Sequence, residues 1–154
     1  MKHDPIDTFI EQMGMMTQQD GFPRIAGQIL GYLIVEGEAR SLGEITGALK
    51  ISKGSASTNC RLLAERGAIE RVGAIGSRQD SYRAVENPTE NTLAGMAERF
   101  RQRAGVIEEA AAQFPDNRGD ARERVCGLAT FFRNSAQFLD EWTKRAKAIK
   151  AETE

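Results

Sequence analysis

Two short helices separated by a turn of only two residues limit the fold of this chain more than any other feature. Ser41-Leu42-Gly43-Glu44 has capping-box spacing, a Ser at the N-cap and a Glu three residues later, and it opens a helix that runs through Leu49. Lys50-Ile51 makes the turn. Ser52 then caps a second helix reaching Arg66, and Gly67 ends it as a C′ glycine. On that second helix Ala56, Cys60 and Leu63 stand at i, i+4 and i+7, an inward stripe with Ile51 beneath the turn. The other face carries Lys53, Ser55, Ser57, Thr58 and Arg61.

Two short strands follow, residues 68–73 (A-I-E-R-V-G) and 80–86 (D-S-Y-R-A-V-E), with residues 74–79 as the hairpin link. Helix, tight turn, capped helix and hairpin, in that order, make a winged helix-turn-helix. Short polar side chains and cations on the second helix can sit against phosphates and base edges without steric bulk. Ser52 and the first-turn amides would also present the positive end of the helix dipole to a phosphate.

The flanking segments are helical. Residues 4–19 carry Ile6, Phe9, Ile10, Met13 and Met16 at helical spacing, and D-G-F-P at 20–23 breaks the pattern. A second helix, about 23–36, stops at Gly37. Its Gly27 and Gly31 lie one turn apart on one face; since glycine weakens a helix by about 1 kcal/mol, the pair is read as permitting close helix approach. Asn87-Pro88-Thr89-Glu90 opens a long helix with Leu93, Met96, Phe100, Ile107, Ala111 and Phe114 at multiples of three and four. After a break at 115–119, Val125, Leu128, Phe132, Leu139, Trp142, Ala146 and Ile149 hold heptad-like spacing. A helix of some 30 residues extends roughly 45 Å, more than a small domain needs for its own core. It is therefore expected to pack against another chain.

The fold class expected is mainly α with an α+β wing. Residues 1–21 form an N-terminal dimerisation helix, 22–86 the winged DNA-binding domain, and 87–154 a helical dimerisation region.

Composition bears on function through its distribution. With 154 residues, 40% hydrophobic and 28% charged, the chain has room for about one ordinary domain. Its formal net charge of -1 argues against a simple polycation. Divided along the chain, residues 1–49 hold 3 cations and 7 anions, 50–83 hold 7 and 3, and 84–154 hold 11 and 12. Positive charge thus gathers on the proposed reading head, the footprint of a sequence-specific binder.

No apolar run approaches the roughly 18 residues of a membrane span, and the N-terminus lacks a signal peptide's apolar stretch, so a soluble cytoplasmic protein is expected. Two separated cysteines, Cys60 and Cys126, and the single His3 make neither a disulfide framework nor a metal site. Free cysteine behaves as a small buried hydrophobe, and nothing marks either thiolate as activated. No nucleophile-base constellation can be assembled, and no metal or cofactor is called for. An enzyme is not expected.

F-P-R-I-A-G-Q-I-L-G-Y-L, I-S-K-G-S-A-S-T-N-C-R-L-L and G-S-R-Q-D-S-Y-R, spanning roughly residues 22–86, resemble the regulator of glycine betaine synthesis (GbsR) branch of the MarR-type winged-helix regulators. The resemblance implies a homodimeric transcription factor, dimerised through its terminal helices and bound to a double-stranded DNA operator. Each winged helix would place its recognition helix, with Lys53, Ser55, Ser57, Thr58 and Arg61, in the major groove. Arg78 would fall at the wing tip, in the minor groove. Cys60 departs from the family pattern, where a larger aliphatic residue is commoner. The resemblance also suggests a small-molecule effector; a quaternary ammonium group would want an aromatic cage, for which Tyr32, Phe132 and Trp142 are the candidates. The heptad-like spacing suits most of the aromatics equally to a dimer core. The alternative function is a winged-helix protein-interaction scaffold, which would not need its cations gathered on helix and wing.

Overall fold

The computed structural model describes residues 4–153, except 74 and 77 and the side chains of 88 and 89. His3, and Ala74 and Ser77 of the hairpin link, lie outside the described residues. Two compact units divide the chain, Met1–Pro88 and Thr89–Glu154.

In the first unit, α1 (Pro5–Gln19) is capped by Asp4, whose carboxylate accepts from the Ile6 amide at 2.9 Å. Helix α2 (Arg24–Glu36) ends at Gly37, which takes the left-handed φ of 68°. The two helices pack closely because glycines on each leave room for side chains and backbone of the other. A Cβ on Gly27 would fall 2.7 Å from Cβ of Thr17 and closer still to Met13 O. One on Gly14 would meet Cγ of Gln28 at 2.8 Å. The close approach expected of Gly27 and Gly31 is present, with Gly14 as its unexpected counterpart on α1.

Helices α3 (Leu42–Leu49) and α4 (Lys53–Glu65) follow as expected. The capping box is complete: Glu44 N donates to Ser41 Oγ at 3.1 Å, and Ser41 N donates to Glu44 Oε2 at 2.7 Å. Lys50 closes α3 at φ 54°, the one non-glycine residue with positive φ among the described residues. Such a conformation is uncommon outside Gly, Asn and Asp, and here it turns the chain sharply enough for α4 to start two residues later. Strands β2 (Ile69–Val72) and β3 (Ser81–Ala84) form the hairpin.

A third strand was not foreseen. β1 (Arg40–Ser41) pairs antiparallel with β3, Arg40 opposite Tyr82 and Ser41 opposite Ser81, in the order β1-β3-β2. Two residues carry no alternation to read, so the strand is visible only through its partner. The core joins Ala26, Ile29 and Leu33 of α2 to Ile45 of α3, Ala56, Cys60 and Leu63 of α4, and Ile69 and Tyr82 of the sheet. Cys60 is completely buried in it.

The second unit consists of α5 (Pro88–Ala112), a short 3₁₀ turn (Asp116–Arg118) and α6 (Gly119–Thr153). Its 35 residues make α6 about 52 Å long. Ion pairs Arg101–Asp140 and Glu108–Arg133 fix α5 and α6 antiparallel. That register sets Ala97 opposite Thr143, Ala104 opposite Ala136 and Ala111 opposite Ala129, and all six are buried. Residues seven apart recur on the same face of each helix, so alanine lines the seam between them.

Candidate nucleic-acid interface

Helix α4 is rooted by its apolar stripe, and the roots dictate what the opposite face shows. With Ala56, Cys60 and Leu63 held in the core, Lys53, Thr58 and Arg61 emerge fully on the surface. Ser55 and Ser57 lie at the margin, half-buried. Ser52 is exposed, and its hydroxyl oxygen accepts from the Ser55 amide at 3.1 Å. The cap therefore rigidifies the first turn of α4 and leaves the Ser52 O–H as a donor. Arg78 is exposed in the hairpin link.

The seven cations of residues 50–83 have different fates. Arg71 pairs with Asp80, and Arg83 donates through Nε to Glu70 Oε1 at 2.5 Å. Glu70 and Arg83 are direct cross-strand partners, an arrangement that stabilises a hairpin and cancels its charge. Arg66 stacks over the Phe22 ring at 5.0 Å and ties the end of α4 to the start of α2. Lys50, at the turn, is exposed and makes no ion pair among the described residues. Lys53, Arg61 and Arg78 make no ion pair among the described residues. The cations left unpaired on α4 and the wing are those with the residue types and positions to contact a polyanion.

One polar residue in this helix carried no sequence signal. Asn59 is buried; its Nδ2 donates to Ser55 O at 2.8 Å, while its Oδ1 lacks a hydrogen-bond partner among the described residues. An amide in that position looks like one more polar residue of an exposed face until the helix is docked. Cys60 gains no activation from its surroundings. Burial pushes the Cys60 thiol up to about 11, which disfavours the thiolate.

The aromatic candidates divide between the units. Tyr32, on α2, lines a cleft of the first unit with Asp7, Glu11, Glu36 and Leu49. Burial chiefly, with the Glu36 charge adding, raises its phenol above the ordinary value. Phe132 lies in the second unit, 5.3 Å from the Phe100 ring and 5.8 Å from the Phe131 ring, with Arg103 above it at 5.8 Å. Trp142 is 54% exposed on the same helix. No three acidic, His or Cys side chains among the described residues gather as a metal site, and no described helix is long and apolar enough to cross a membrane.

A capped helix, a tight turn, a second capped helix with a polar cationic face, and a three-stranded wing define a winged helix-turn-helix protein. A family model described as MarR family matches residues 20–79, which covers α2 through the hairpin link. The chain is 39% identical over 103 residues to the HTH-type transcriptional regulator MmpR5 of Mycobacterium tuberculosis (strain ATCC 25618 / H37Rv). That alignment takes in 66% of this chain and 61% of the relative. A crystal structure of a transcriptional regulator superimposes with a TM-score of 0.69 at 30% identity, over 92% of this chain and 99% of the other. The chain belongs with the winged-helix transcriptional regulators, and its residues 20–79 carry the match to the MarR family.

Proposed function

We propose that this protein is a sequence-specific, double-stranded DNA-binding transcriptional regulator that acts as a homodimer. The observation that carries the reading is the selective pairing of its cations. Wing arginines that face acidic neighbours are neutralised, while Lys53 and Arg61 on α4 and Arg78 on the wing are exposed and make no ion pair among the described residues. In this reading α4 enters the major groove, where Lys53, Ser55, Ser57, Thr58 and Arg61 meet base edges and phosphates, with Ser52 and its cap at the backbone. Arg78 reaches the adjacent minor groove.

Dimerisation is supported by an apolar face that the fold leaves uncovered. Phe131, Phe138, Trp142 and Ile149 are each more than half exposed and share one side of α6. Ile6, Phe9 and Met16 form a similar exposed stripe on α1. Assignment to the GbsR-type branch rests on the motifs across residues 22–86. Control by a small-molecule effector at Tyr32, Phe132 or Trp142 rests on that branch, and a soluble, cytoplasmic location follows from the role itself.

Selection of bound sequences from a random double-stranded DNA pool by the full chain tests the reading in one step. The expected product is an inverted repeat with half-sites about one helical turn apart. A pool that shows no enrichment after successive rounds would remove the DNA-binding reading. Enrichment of a single, non-repeated site would remove the dimer.

A further inference from the structure

Gly54 has no reason to be glycine within its own chain. It is the second residue of α4 and takes an ordinary negative φ, since Gly21, Gly37, Gly67 and Gly76 are the described glycines with positive φ. A Cβ built on it meets nothing within 4 Å. Gly27 is the opposite case, where a Cβ would strike Thr17 and Met13. Glycine is among the poorest residues for a helix, so a helical glycine that neither packing nor dihedral angle requires gains nothing in the free chain. Gly47, Gly105 and Gly127 are open in the same way, but Gly54 is the one glycine of α4.

Its position supplies the return. Gly54, Thr58 and Arg61 stand at i, i+4 and i+7, all exposed, on the side of α4 opposite Ala56, Cys60 and Leu63. The missing side chain therefore leaves a notch at the N-terminal end of the polar face, one turn before Thr58. We propose that Gly54 sets how deeply α4 seats in the major groove: bare backbone at this point admits a base edge that any Cβ would hold off. The inference rests on the DNA-binding reading above and adds to it a position selected for absence of bulk, which fixes the reach of Thr58 and Arg61 to the bases.

The test compares Gly54→Ala and Gly54→Val with Gly119→Ala, an equally open glycine at the start of α6. Affinity is measured for the selected operator and for random duplex DNA, and Tm for each protein. Gly54→Ala should raise Tm by about 1–4 °C, because alanine suits the helix and restricts the unfolded chain. It should nevertheless weaken operator binding at least about tenfold, with Gly54→Val weaker again, and leave random DNA within about twofold. Gly119→Ala should leave both affinities unchanged. Operator binding by Gly54→Ala equal to that of the unsubstituted protein overturns the inference and leaves the DNA-binding reading intact. An equal loss on operator and random DNA overturns it too, since a Cβ there would then be blocking phosphate contact rather than seating. An unsubstituted chain that binds neither DNA removes the underlying reading, and the inference with it.

Discussion

Arg133 donates two hydrogen bonds, at 2.6 and 2.7 Å, to the two carboxylate oxygens of Glu108. The fork-on-fork geometry locks α6 against α5 at one register, a constraint that a lysine at 133 could not reproduce. Register matters here because the seam is made of alanine. A slide of one residue would take Ala104 and Ala136 off the axis and bring larger side chains between the helices.

The pair makes this hairpin sensitive to acid. Arg133's hydrogen bond, and its charge after that, hold the Glu108 carboxyl below its ordinary value of 4.5. A depressed carboxyl contributes stability that is present above the unfolded value and is lost as pH falls through the folded one. Tm should therefore fall as pH drops below the ordinary carboxylate range, and Glu108→Gln should show less of that fall while starting lower at neutral pH. Both groups are largely exposed, so the effect is small and shrinks in high salt. Thermal unfolding from pH 7 to pH 3 at low salt checks it; a Glu108→Gln curve parallel to that of the unsubstituted protein would remove the linkage.

Arg61 and Arg71 should behave oppositely although both are arginines of the basic segment. Arg61 is exposed and makes no ion pair among the described residues, whereas Arg71 is held by Asp80. Arg61→Ala should cost roughly 1–3 kcal/mol of operator affinity and relax preference at one position of the site. Arg71→Ala should alter operator affinity by much less than tenfold, and stability by no more than about 1 kcal/mol, the range of exposed pairs. Titrations on the operator and on single-base variants decide this. Uniform weakening of Arg61→Ala on all sequences would make its contact one to phosphate.

Much of this was readable before folding, and the exceptions share a cause. Caps and glycine stops are local signals, so α1 to α4 and the hairpin fall within a residue or two of their expected limits. What depends on a partner far along the chain was hidden. β1 is two residues that become a strand only beside Tyr82 and Ser81. The charge of Arg71 and Arg83 could be counted but not cancelled until the strand register placed Asp80 and Glu70 beside them. On α6 the large side chains drew attention as a seam, while the seam with α5 uses Ala129, Ala136 and Thr143, whose small size mutes their periodicity. Asn59 is hidden for the same reason: burial of one amide depends on how α4 docks.

The two thiols should differ in reactivity. Cys60 is wholly buried and its thiol is pushed up to about 11, while Cys126 is partly exposed on α6. Iodoacetamide at pH 8 should alkylate Cys126 in the folded protein and Cys60 only after denaturation. Peptide mapping by mass spectrometry reads both sites at once. Native labelling of Cys60 at the rate of Cys126 would show that the core beneath α4 opens readily.

The heptad-spaced residues of α6 divide between two jobs, and the second points outside the chain. Alanines occupy the seam with α5, so the aromatic side chains are displaced to an outer face: Phe131 is 62% exposed and Phe138 is 65% exposed. Two aromatics about two-thirds in water each forgo roughly 1–2 kcal/mol of burial, and a large exposed apolar patch marks an interaction surface. If that surface joins two copies, Phe138→Asp and Trp142→Asp should each raise the dimer dissociation constant at least about thirtyfold, the scale of losing one buried anchor. Circular dichroism should change little, because both side chains are more than half exposed within their own chain. Sedimentation equilibrium at micromolar concentration separates the outcomes. A dimer as tight in both variants as in the unsubstituted protein would place the interface elsewhere, with the α1 stripe of Ile6, Phe9 and Met16 as the next surface to charge.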